Sequence, residues 1–507
     1  MNPPLSRTLA VQAQHNWPLH NTASTRKIEH ELQAQLHHHT LMQRAGLASA
    51  QLALAVAPHA QTIWIACGPG NNGGDGLEAA LQLKQMGKNV AVTYLGDPAN
   101  APADAKVAYQ RAVAAGIRFE SSPPVQFDLA IDALLGIACH SPPTGQMAHC
   151  LDLINQFSGP VVCLDLPSGL LADTGQWLYK PSHTLAQERH TLSFLTLKPG
   201  LFTADGRDAA GRVWFNTLVA ERTTNEPEQA VLQGATKLSS HHLQHNTHKG
   251  NFGDVHLIGG ANGMAGAAVL AANAALQSGA GRVYVGLLDE QAQTSISASH
   301  PCLMVRAWRD LPRHADAVVC GCGGGSQIAQ ALGVLLGQSQ RLVLDADALN
   351  ALSADAQLQT LLAHRVGKQY ATVLTPHPLE AARLLGCSTA EIQSNRLFHA
   401  QSLADKMQCV VVLKGSGSVV AAPNAIPVIN PTGNALLSTA GTGDVLAGLI
   451  GARLAQGQEA MQAACSAVFD HGLRADQWLA QRLNDPQGSG FGGFDAAQLA
   501  ASLRFIA

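Results

Sequence analysis

The sequence predicts an α/β protein with two domains, each a parallel sheet covered by helices on both faces. At 507 residues, the chain is longer than one ordinary core requires. Short apolar runs alternate with alanine-rich stretches, which is typical of strands buried on both faces. This alternation stops in the polar stretch ERTTNEPEQA (221–230) and then restarts. We therefore predict domains at 1–225 and 226–507.

Composition excludes several classes of protein. The chain is 46% hydrophobic and 13% charged with a formal net charge of −3, so it lacks the basic excess of a nucleic-acid-binding protein. No apolar run approaches the roughly 18 residues of a membrane span, and the N-terminus has no secretory signal. Ten scattered cysteines, several of them in strand-like runs, indicate reduced thiols and a cytoplasmic protein.

The N-terminal domain is predicted to contain several buried strands, each ending in a polar or glycine-rich turn. They are TIWIAC (62–67), KNVAVTYLG (88–96), FDLAIDALLG (127–136), PVVCLDLPSG (160–169) and HTLSFLTLK (190–198). The stretch GPGNNGGDGLEAA (68–80) follows the first strand and opens a helix, the usual frame of a site for phosphorylated ligands. It matches neither G-x-G-x-x-G nor G-x-x-x-x-G-K-[ST], so the common nucleotide motifs do not explain it.

The C-terminal domain repeats the alternation of strands and helices. The predicted elements are DVHLIGG (254–260), a helix over 264–279, GRVYVGLL (281–288), DAVVCGCGGG (316–325), RLVLDADALN (341–350), ATVLTPHP (371–378), CVVVLKGSGSVVAA (409–422) and a helix after AGTGD (440–444).

Asp444 is the candidate catalytic base of this domain. The small residues before it allow backbone amides to approach a phosphate at a helix N-terminus. A carboxylate at that point would repel the phosphate unless it had a task, such as taking a proton from an attacking hydroxyl group. The alternative is that Asp444 only caps the helix.

Three further segments favour a ligand site over the capping role. TPHPLEAARLLG (375–386) places polar groups where α/β sheets bind ligands, and LKGSGSVVA (413–421) carries a lysine and a glycine-serine loop. KGNFGDVHLIGGANGMAGAA (249–268) is a candidate lid over the ligand. Histidine-rich stretches occur at 37–39 and 241–248; the second lies beside the linker and is interpreted as solvated, with metal binding as the alternative.

The order KGxFGxVxxIGG…GMxGA, DADALN, TPHPxE, LKGxxS, NPTGN…AGTGD resembles the ribokinase-like NAD(P)H-hydrate dehydratases over residues 235–480. The resemblance implies a ribokinase-like αβα fold. It also implies phosphorylation of hydrated NAD(P)H by ADP with Mg²⁺, followed by loss of phosphate, with AMP as the other product. The residues that match the family's functional positions are catalytic Asp444; nucleotide-binding Lys414, Gly415, Ser416, Gly417, Ser418 and Gly443; and hydrate-binding Ala267, Gly323, His377 and Asp444.

GPGNNGGDGLEAA, IDALLG, LDLPSGLLADTG and LKPGL resemble the YjeF-type NAD(P)H-hydrate epimerases from about Ser24 to Val213. This resemblance implies a Rossmann-like three-layer αβα fold, with glycines that let backbone approach a pyrophosphate. The implied residues are catalytic Asp165; substrate-binding Asn71, Asn72, Gly73, Gly74, Asp75, Gly136 and Asp165; and the K⁺ ligands Asn72, Asp132 and Ser168.

Other interpretations of two N-terminal residues stay open at this point. Asp165 ends an apolar strand and is expected to act as an acid or base at C6 of the hydrate, or else only to cap the turn that follows. Lys198, in LKPG, either neutralises a phosphate or lies on the surface.

The chain departs from both families at several positions. In the C-terminal domain Leu379 replaces the glycine of TPHPGE, and GCGGG (321–325) replaces G-P-G-L-G. In the N-terminal domain GIACHSPPTG follows Asp132 in place of G-T-G and a basic residue. Three single positions also differ from the family pattern: Glu78 stands at a usually apolar position, and Leu171 and Arg189 stand where aspartates are usual.

The leading hypothesis is a bifunctional repair enzyme that epimerises (R)- and (S)-NAD(P)HX and dehydrates the S form. One alternative is a kinase for a small alcohol, such as a hydroxymethylpyrimidine or a sugar, since ribokinase-like kinases share the role of this aspartate. A second alternative is a non-catalytic N-terminal module that binds a ligand or mediates oligomerisation. The expected partners are NAD(P)HX, ADP and further copies of the chain in a homo-oligomer, with no nucleic acid and no membrane.

Overall fold

The computed structural model describes residues 7–181, 188–219, 226–235, 246–484 and 494–503. The chain forms two compact α/β units. The first takes in the described residues up to Leu232 apart from 13–16, and the second takes in 13–16 and the residues from Gln233 onward. Residues 221–225 of the predicted linker and 241–245 of the second histidine-rich stretch lie outside the described ranges.

The first unit is built on an eight-stranded sheet in the order β1-β9-β8-β7-β6-β3-β4-β5. All neighbouring strands are parallel except the edge strand β1, which is antiparallel to β9. Strands β2 and β10 pair with each other antiparallel. The strands are β1 (Leu9–Ala10), β2 (Trp17–Leu19), β3 (Thr62–Cys67), β4 (Asn89–Tyr94), β5 (Arg118–Phe119), β6 (Leu129–Ala133), β7 (Val161–Leu164), β8 (Arg189–Phe194), β9 (Arg212–Asn216) and β10 (Ala230–Leu232).

Helices cover both faces of this sheet, which confirms the predicted three-layer fold. Along β3, Ile63 and Ile65 belong to the core beneath α2, α3 and α4, whereas Trp64 and Ala66 belong to the core beneath α5. This alternation follows from the two-residue period of a strand. The helices are α1 (Thr22–Gln35), α2 (Thr40–Val56), α3 (Asn71–Gln85), α4 (Ala103–Ala114), α5 (Gly145–Gln156) and α6 (Gly206–Ala210), with a 3-10 turn at Pro199–Leu201.

The sheet of the second unit runs β13-β12-β11-β14-β15-β16-β17-β18-β19. It is parallel as far as β17 and antiparallel beyond it, so the predicted strand over 409–422 is a hairpin. The strands are β11 (Asp254–Gly259), β12 (Arg282–Leu287), β13 (Met304–Ala307), β14 (Ala317–Cys320), β15 (Arg341–Leu344), β16 (Ala371–Leu374), β17 (Val410–Leu413), β18 (Val419–Ala421) and β19 (Val428–Ile429).

Helices α7 to α17 surround this second sheet. They are α7 (Ala265–Gln277), α8 (Gln293–Ser299), α9 (Ile328–Gln338), α10 (Asp347–Ala354), α11 (Ala356–Gly367), α12 (Pro378–Leu385), α13 (Thr389–Ser394), α14 (Arg396–Met407), α15 (Thr442–Ala455), α16 (Ala460–Leu483) and α17 (Ala496–Ser502). Short 3-10 turns lie at Lys249–Phe252, Glu290–Ala292, Trp308–Asp310, Gly325–Gln327 and Ala435–Leu437.

Helix α15 passes through the centre of the second core and carries Asp444 near its N-terminus. Nearly all of its residues are buried, and it packs so closely on α7 that a Cβ at Gly448 would lie 2.0 Å from the Ala271 carbonyl oxygen. Such a tight contact between two helices fixes the position of the helix start. No helix of the described residues is both long and apolar enough to cross a membrane.

Candidate functional site

The first candidate site is a cavity of about 540 Å³ at the carboxyl ends of the parallel strands of the first unit. Of the predicted substrate-binding residues, five line it: Asn71, Asn72, Asp75, Gly136 and Asp165. This is the edge at which open α/β sheets bind ligands, because loops there connect each strand to its helix.

Gly73 and Gly74 do not line this cavity, and their small size serves the packing of α3. A Cβ at Gly73 would lie 1.9 Å from the carbonyl oxygen of Gly68, and one at Gly74 would lie 2.6 Å from the Met42 side chain. The glycines therefore let the N-terminal turn of α3 press against the chain around it. Their predicted contact with the substrate has no support in this geometry.

Asp165 and Lys198 form an ion pair in the cavity. Lys198 is fully buried, and its ammonium group also donates to Ser193 Oγ (3.1 Å) and to the Phe194 carbonyl oxygen (2.9 Å). Asp165 has the left-handed φ of +63°, unusual for an aspartate, and accepts a bond from the Phe194 amide at 3.4 Å. Among the described residues, Asp165 accepts no hydrogen bond from the turn that follows it, so the capping interpretation of Asp165 is wrong. The interpretation of Lys198 as a surface residue is also wrong, because it is fully buried.

Three other carboxyl groups face the same cavity, from Glu29, Asp75 and Asp104. Burial raises the pKa of Asp75 well above its usual value, and the nearby Asp165 raises it further. Burial also raises the pKa of Glu29, again with a contribution from Asp165. Carboxyl groups whose environments differ in this way can act as acid and base in one site. Sequence analysis did not name Glu29 or Asp104 as site residues.

The three predicted K⁺ ligands lie beside this cavity. Both carboxylate oxygens of buried Asp132 accept bonds from Ser168, and Ser168 Oγ accepts one from the Leu135 amide at 2.8 Å. Asn72 is buried, and neither polar atom of its amide group has a hydrogen-bond partner among the described residues. A carboxylate, a hydroxyl group and a buried, unpartnered amide oxygen are donors that fit an alkali cation.

Glu78, which departs from the family pattern, has partners for its buried charge. Its Oε1 lies 2.8 Å from Nε2 of buried His39 and 2.7 Å from Nε of Arg111. His39 comes from the first histidine-rich stretch, 37–39, and is buried. Buried carboxylates are tolerated when they are paired in this way.

The second candidate site lies at the carboxyl ends of β14, β15 and β17 of the second unit. Asp345 and Asp347 flank Ala346, whose φ of +47° is rare for a residue with a side chain. Buried Asp345 Oδ1 accepts bonds from Lys414 Nζ at 2.8 Å and from Thr375 Oγ1 at 2.7 Å. The lysine of the predicted nucleotide loop is thus held at the centre of the site.

Asp444 lies in the first turn of α15, which begins at Thr442 and not after Asp444 as predicted. The N-cap is Gly441, with φ of +90°, and no side chain caps the helix, so the capping alternative for Asp444 is wrong. Burial and the nearby Asp345 raise the pKa of Asp444 to about 6, and the Cys322 thiol and Lys414 partly offset this rise. A carboxylate of this kind is ionised at neutral pH and able to accept a proton.

The predicted nucleotide loop, 414–418, follows β17. Gly415 has a φ of +139°, and a Cβ there would lie 2.9 Å from the guanidinium of buried Arg396. That guanidinium donates to the Leu413 and Lys414 carbonyl oxygens, each at 3.1 Å, and thereby fixes the loop. Lys414 Nζ would lie 3.3 Å from a Cβ at Gly443, so the structure brings the loop to the start of α15.

Ser416, Gly417 and Ser418 complete the loop. Ser418 Oγ donates to the Gly415 carbonyl oxygen at 3.1 Å, which closes a tight turn. Ser416 is exposed and Gly417 is buried. The loop therefore presents one serine to solvent and uses the other to hold its own backbone.

The predicted hydrate-binding residues lie around the same strand ends. His377 caps α12, accepting bonds at Nδ1 from the amides of Leu379 and Glu380, and the exposed Leu379 side chain leaves this turn regular. Burial raises the pKa of Glu380 to about 7. Gly323, with φ of +60°, lies against Ala267, because a Cβ on Gly323 would be 3.0 Å from the Ala267 Cβ.

Sequence analysis named neither Cys322 nor Asp345 as a residue of this site, although Asp345 lies in the quoted motif DADALN. The Cys322 sulfur, an oxygen of Asp345 and an oxygen of Asp444 all lie within 4.8 Å of one another. The chain spacing gave no signal, because C-x-C alone is not a metal motif. Only the departure GCGGG from the family's G-P-G-L-G marked the position.

Two family models match the chain. The model described as YjeF-related protein N-terminus matches residues 38–200, and the model described as NAD(P)H-hydrate dehydratase matches residues 255–487. The bifunctional NAD(P)H-hydrate repair enzyme Nnr of Escherichia coli is 38% identical over 450 residues, which is 86% of this chain and 84% of that protein.

Similar relatives occur outside bacteria, and solved structures resemble one half of the chain. The bifunctional NAD(P)H-hydrate repair enzyme of Leishmania braziliensis is 32% identical over 507 residues, 92% of this chain and 89% of that protein. The ADP/ATP-dependent NAD(P)H-hydrate dehydratase of Bacillus subtilis, crystallised with ATP and Mg²⁺, is 28% identical over 51% of this chain and 90% of its own, with a TM-score of 0.43.

Proposed function

The chain belongs to the family of bifunctional NAD(P)H-hydrate repair enzymes, and from this premise we propose that it restores NAD(P)H from both epimers of its hydrate. The epimerase activity belongs to the N-terminal domain, predicted as residues 1–225, and the ADP-dependent dehydratase activity to the C-terminal domain, predicted as residues 226–507, whereas the compact units divide between Leu232 and Gln233. The observation that carries the proposal is that each unit gathers its own acid–base group at the carboxyl ends of its sheet.

In the epimerase site, Asp165 acts at C6 of the hydrate. Asp165 is held by the buried Lys198 and faces the cavity, so it can accept the proton that epimerisation displaces and return it later. Burial and the nearby carboxylates raise the pKa of Asp75, which favours its protonated form and makes it the candidate acid. Asn71 and Gly136 line the cavity and contact the substrate.

A potassium ion completes this site, held by Asn72, Asp132 and Ser168. When bound, such an ion supplies fixed positive charge for the anionic phosphates of the substrate. The support is the buried Asn72 amide, which lacks a partner among the described residues and flanks Gly136, where a Cβ would also lie 3.3 Å from Asp165. The residues that would hold the ion are therefore next to the acid–base group.

In the dehydratase site, Asp444 takes the proton of the C6 hydroxyl group as its oxygen attacks the β-phosphorus of ADP. AMP leaves, and the phosphate ester at C6 then loses inorganic phosphate to restore the dihydropyridine ring. Lys414 and the loop 415–418 bind the phosphates, while Ala267, Gly323 and His377 contact the hydrate. Magnesium bound with the nucleotide neutralises charge on the transferred phosphoryl group.

The alternative of a small-alcohol kinase would use Asp444 in the same way. The two activities differ in the fate of the phosphate, which stays on an organic product in a kinase and appears as inorganic phosphate in a dehydratase. The match of both family models to one chain favours repair over the kinase.

The test uses the full-length protein with a mixture of (R)- and (S)-NADHX, ADP, Mg²⁺ and K⁺. Recovery of NADH absorbance should be complete and faster than spontaneous epimerisation allows. Asp165→Asn should stop the recovery after the S fraction, whereas Asp444→Asn should abolish it. If recovery in the unaltered protein stops after the S fraction, the N-terminal unit is a non-catalytic binding module. Organic phosphate without NADH would support the kinase.

We also propose a cytoplasmic location and a homo-oligomeric assembly. All ten cysteines are free thiols, and most of them are buried, which suits a reducing compartment. The homo-oligomer rests on the family resemblance alone. Size-exclusion chromatography with light scattering would test it.

A further inference from the structure

We propose that Cys322, Asp345 and Asp444 form a binding site for a thiophilic divalent cation such as Zn²⁺, and that its occupation inhibits the dehydratase domain. The ligand atoms come from three separate elements: the loop after β14, the end of β15 and the first turn of α15. One sulfur and two carboxylate oxygens lie within 4.8 Å of one another. The site therefore depends on the fold and not on a local sequence motif.

The donor set selects the class of metal. Mg²⁺ prefers oxygen ligands in octahedral geometry, whereas a thiolate with two carboxylates suits Zn²⁺ or Cd²⁺. Three protein ligands leave a fourth position of a tetrahedral site open to water. On binding, the Cys322 sulfur forms a bond to the metal and its proton passes to water, so the metal remains divalent and no electron is transferred.

Asp345 and Asp444 supply the charge that a cation requires. Both hydrogen bonds that Asp345 accepts, from Lys414 and Thr375, go to Oδ1, and Oδ2 accepts none from the described residues. Cys322 and Asp345 are each only 2% exposed, whereas Asp444 is partly exposed and provides the access from solvent. Two carboxylates beside the single ammonium of Lys414 leave net negative charge for the metal.

The sulfur ligand lies at one of the chain's departures from the family pattern. Cys322 stands in GCGGG, at the position of the proline in the family's G-P-G-L-G. A proline there supplies no ligand atom from its side chain, so relatives with that motif lack the soft donor. Inhibition follows because a metal-bound Asp444 cannot accept the proton of the substrate hydroxyl group.

The test separates metal binding from the proposed repair activity. Metal-free protein is titrated with Co²⁺ or Cd²⁺, and the thiolate-to-metal charge-transfer absorption is followed with no substrate present. Cys322→Ser should remove this absorption and weaken Zn²⁺ binding at least about tenfold by calorimetry. The matched control is Cys302→Ser, which removes an exposed thiol far from the motif and should retain the absorption.

Inhibition is then measured on each variant relative to its own rate without Zn²⁺. The unaltered protein and the Cys302 variant should be inhibited at Zn²⁺ concentrations at least about tenfold below those needed for Cys322→Ser. Absence of the absorption in the unaltered protein, or its persistence in Cys322→Ser, would overturn the metal site. Equal inhibition of all three proteins would overturn the inhibitory role. If Cys322→Ser fails to fold by circular dichroism, Cys322→Ala replaces it.

Discussion

Lowering the pH from 7 to 5 should reduce kcat/KM of the dehydratase reaction about tenfold. Asp444 must be ionised to accept the hydroxyl proton, and burial together with Asp345 raises its pKa to about 6. With that value, about 90% of the carboxyl groups are ionised at pH 7 and about 10% at pH 5. An aspartate with an ordinary pKa would stay almost fully ionised over this range and show little change.

Three variants show which residue causes the fall in kcat/KM at low pH, the acid limb of the pH profile. Asp444→Asn should lower kcat/KM by roughly 10²- to 10⁴-fold and leave the remaining rate without the limb. Lys414→Met removes a cation that lowers the pKa of Asp444, so the midpoint should move to higher pH. Glu380→Gln is the control, because the pKa of Glu380 is raised to about 7 and could produce a similar limb.

The assay follows inorganic phosphate from (S)-NADHX at saturating ADP and Mg²⁺ between pH 5 and 8, with circular dichroism at each pH. A midpoint that does not move in the Lys414 variant would contradict the electrostatic explanation. If the loss of activity at low pH disappears in Glu380→Gln, the titrating group is Glu380 and not Asp444.

Further predictions concern both units. Lys198→Met should abolish epimerisation, leave dehydration of (S)-NADHX intact, and lower the free energy of unfolding by roughly 3 kcal/mol, because Asp165 loses its buried partner. Burial lowers the pKa of His471 to about 4. The unfolded chain therefore binds more protons than the folded protein between pH 6.5 and 4. The free energy of unfolding should fall by about 3 kcal/mol as the pH falls through this range. His471→Gln should flatten this dependence in urea titrations. Gly448→Ala should destabilise the protein by about 1 to 3 kcal/mol. Gly337→Ala should stabilise it slightly, because a Cβ there meets no atom within 4 Å. Thermal melts that rank the two variants in the opposite order would refute the packing explanation.

The strands and main helices were predictable because their apolar runs are long and buried on both faces. TIWIAC (62–67) coincides with β3, and the predicted helix 264–279 contains α7. The short strands β1, β5 and β19 escaped prediction because each has only two residues and no apolar period. Their existence depends on partners elsewhere in the chain, which local patterns do not show.

The site residues were predictable where they belong to motifs, and they were not where only the fold assembles them. Asp345, Lys414 and Asp444 occur in quoted motifs, and the structure brings them together. Glu29 reaches the first cavity from α1, far along the chain from Asp165, and Cys322 approaches Asp444 from a distant loop. Sequence spacing contains no information on such approaches, since they depend on tertiary packing.

The buried carboxylate of Glu78 has a consequence for how this chain can evolve. Replacing Glu78 alone by an apolar residue would leave buried His39 without this acceptor, and losing His39 or Arg111 alone would leave the buried Glu78 charge less compensated. Each single step is therefore costly, although a simultaneous exchange of the three could be neutral. Residues 39, 78 and 111 should therefore change together. This constrains the order of substitutions between this sequence and relatives with an apolar residue at position 78.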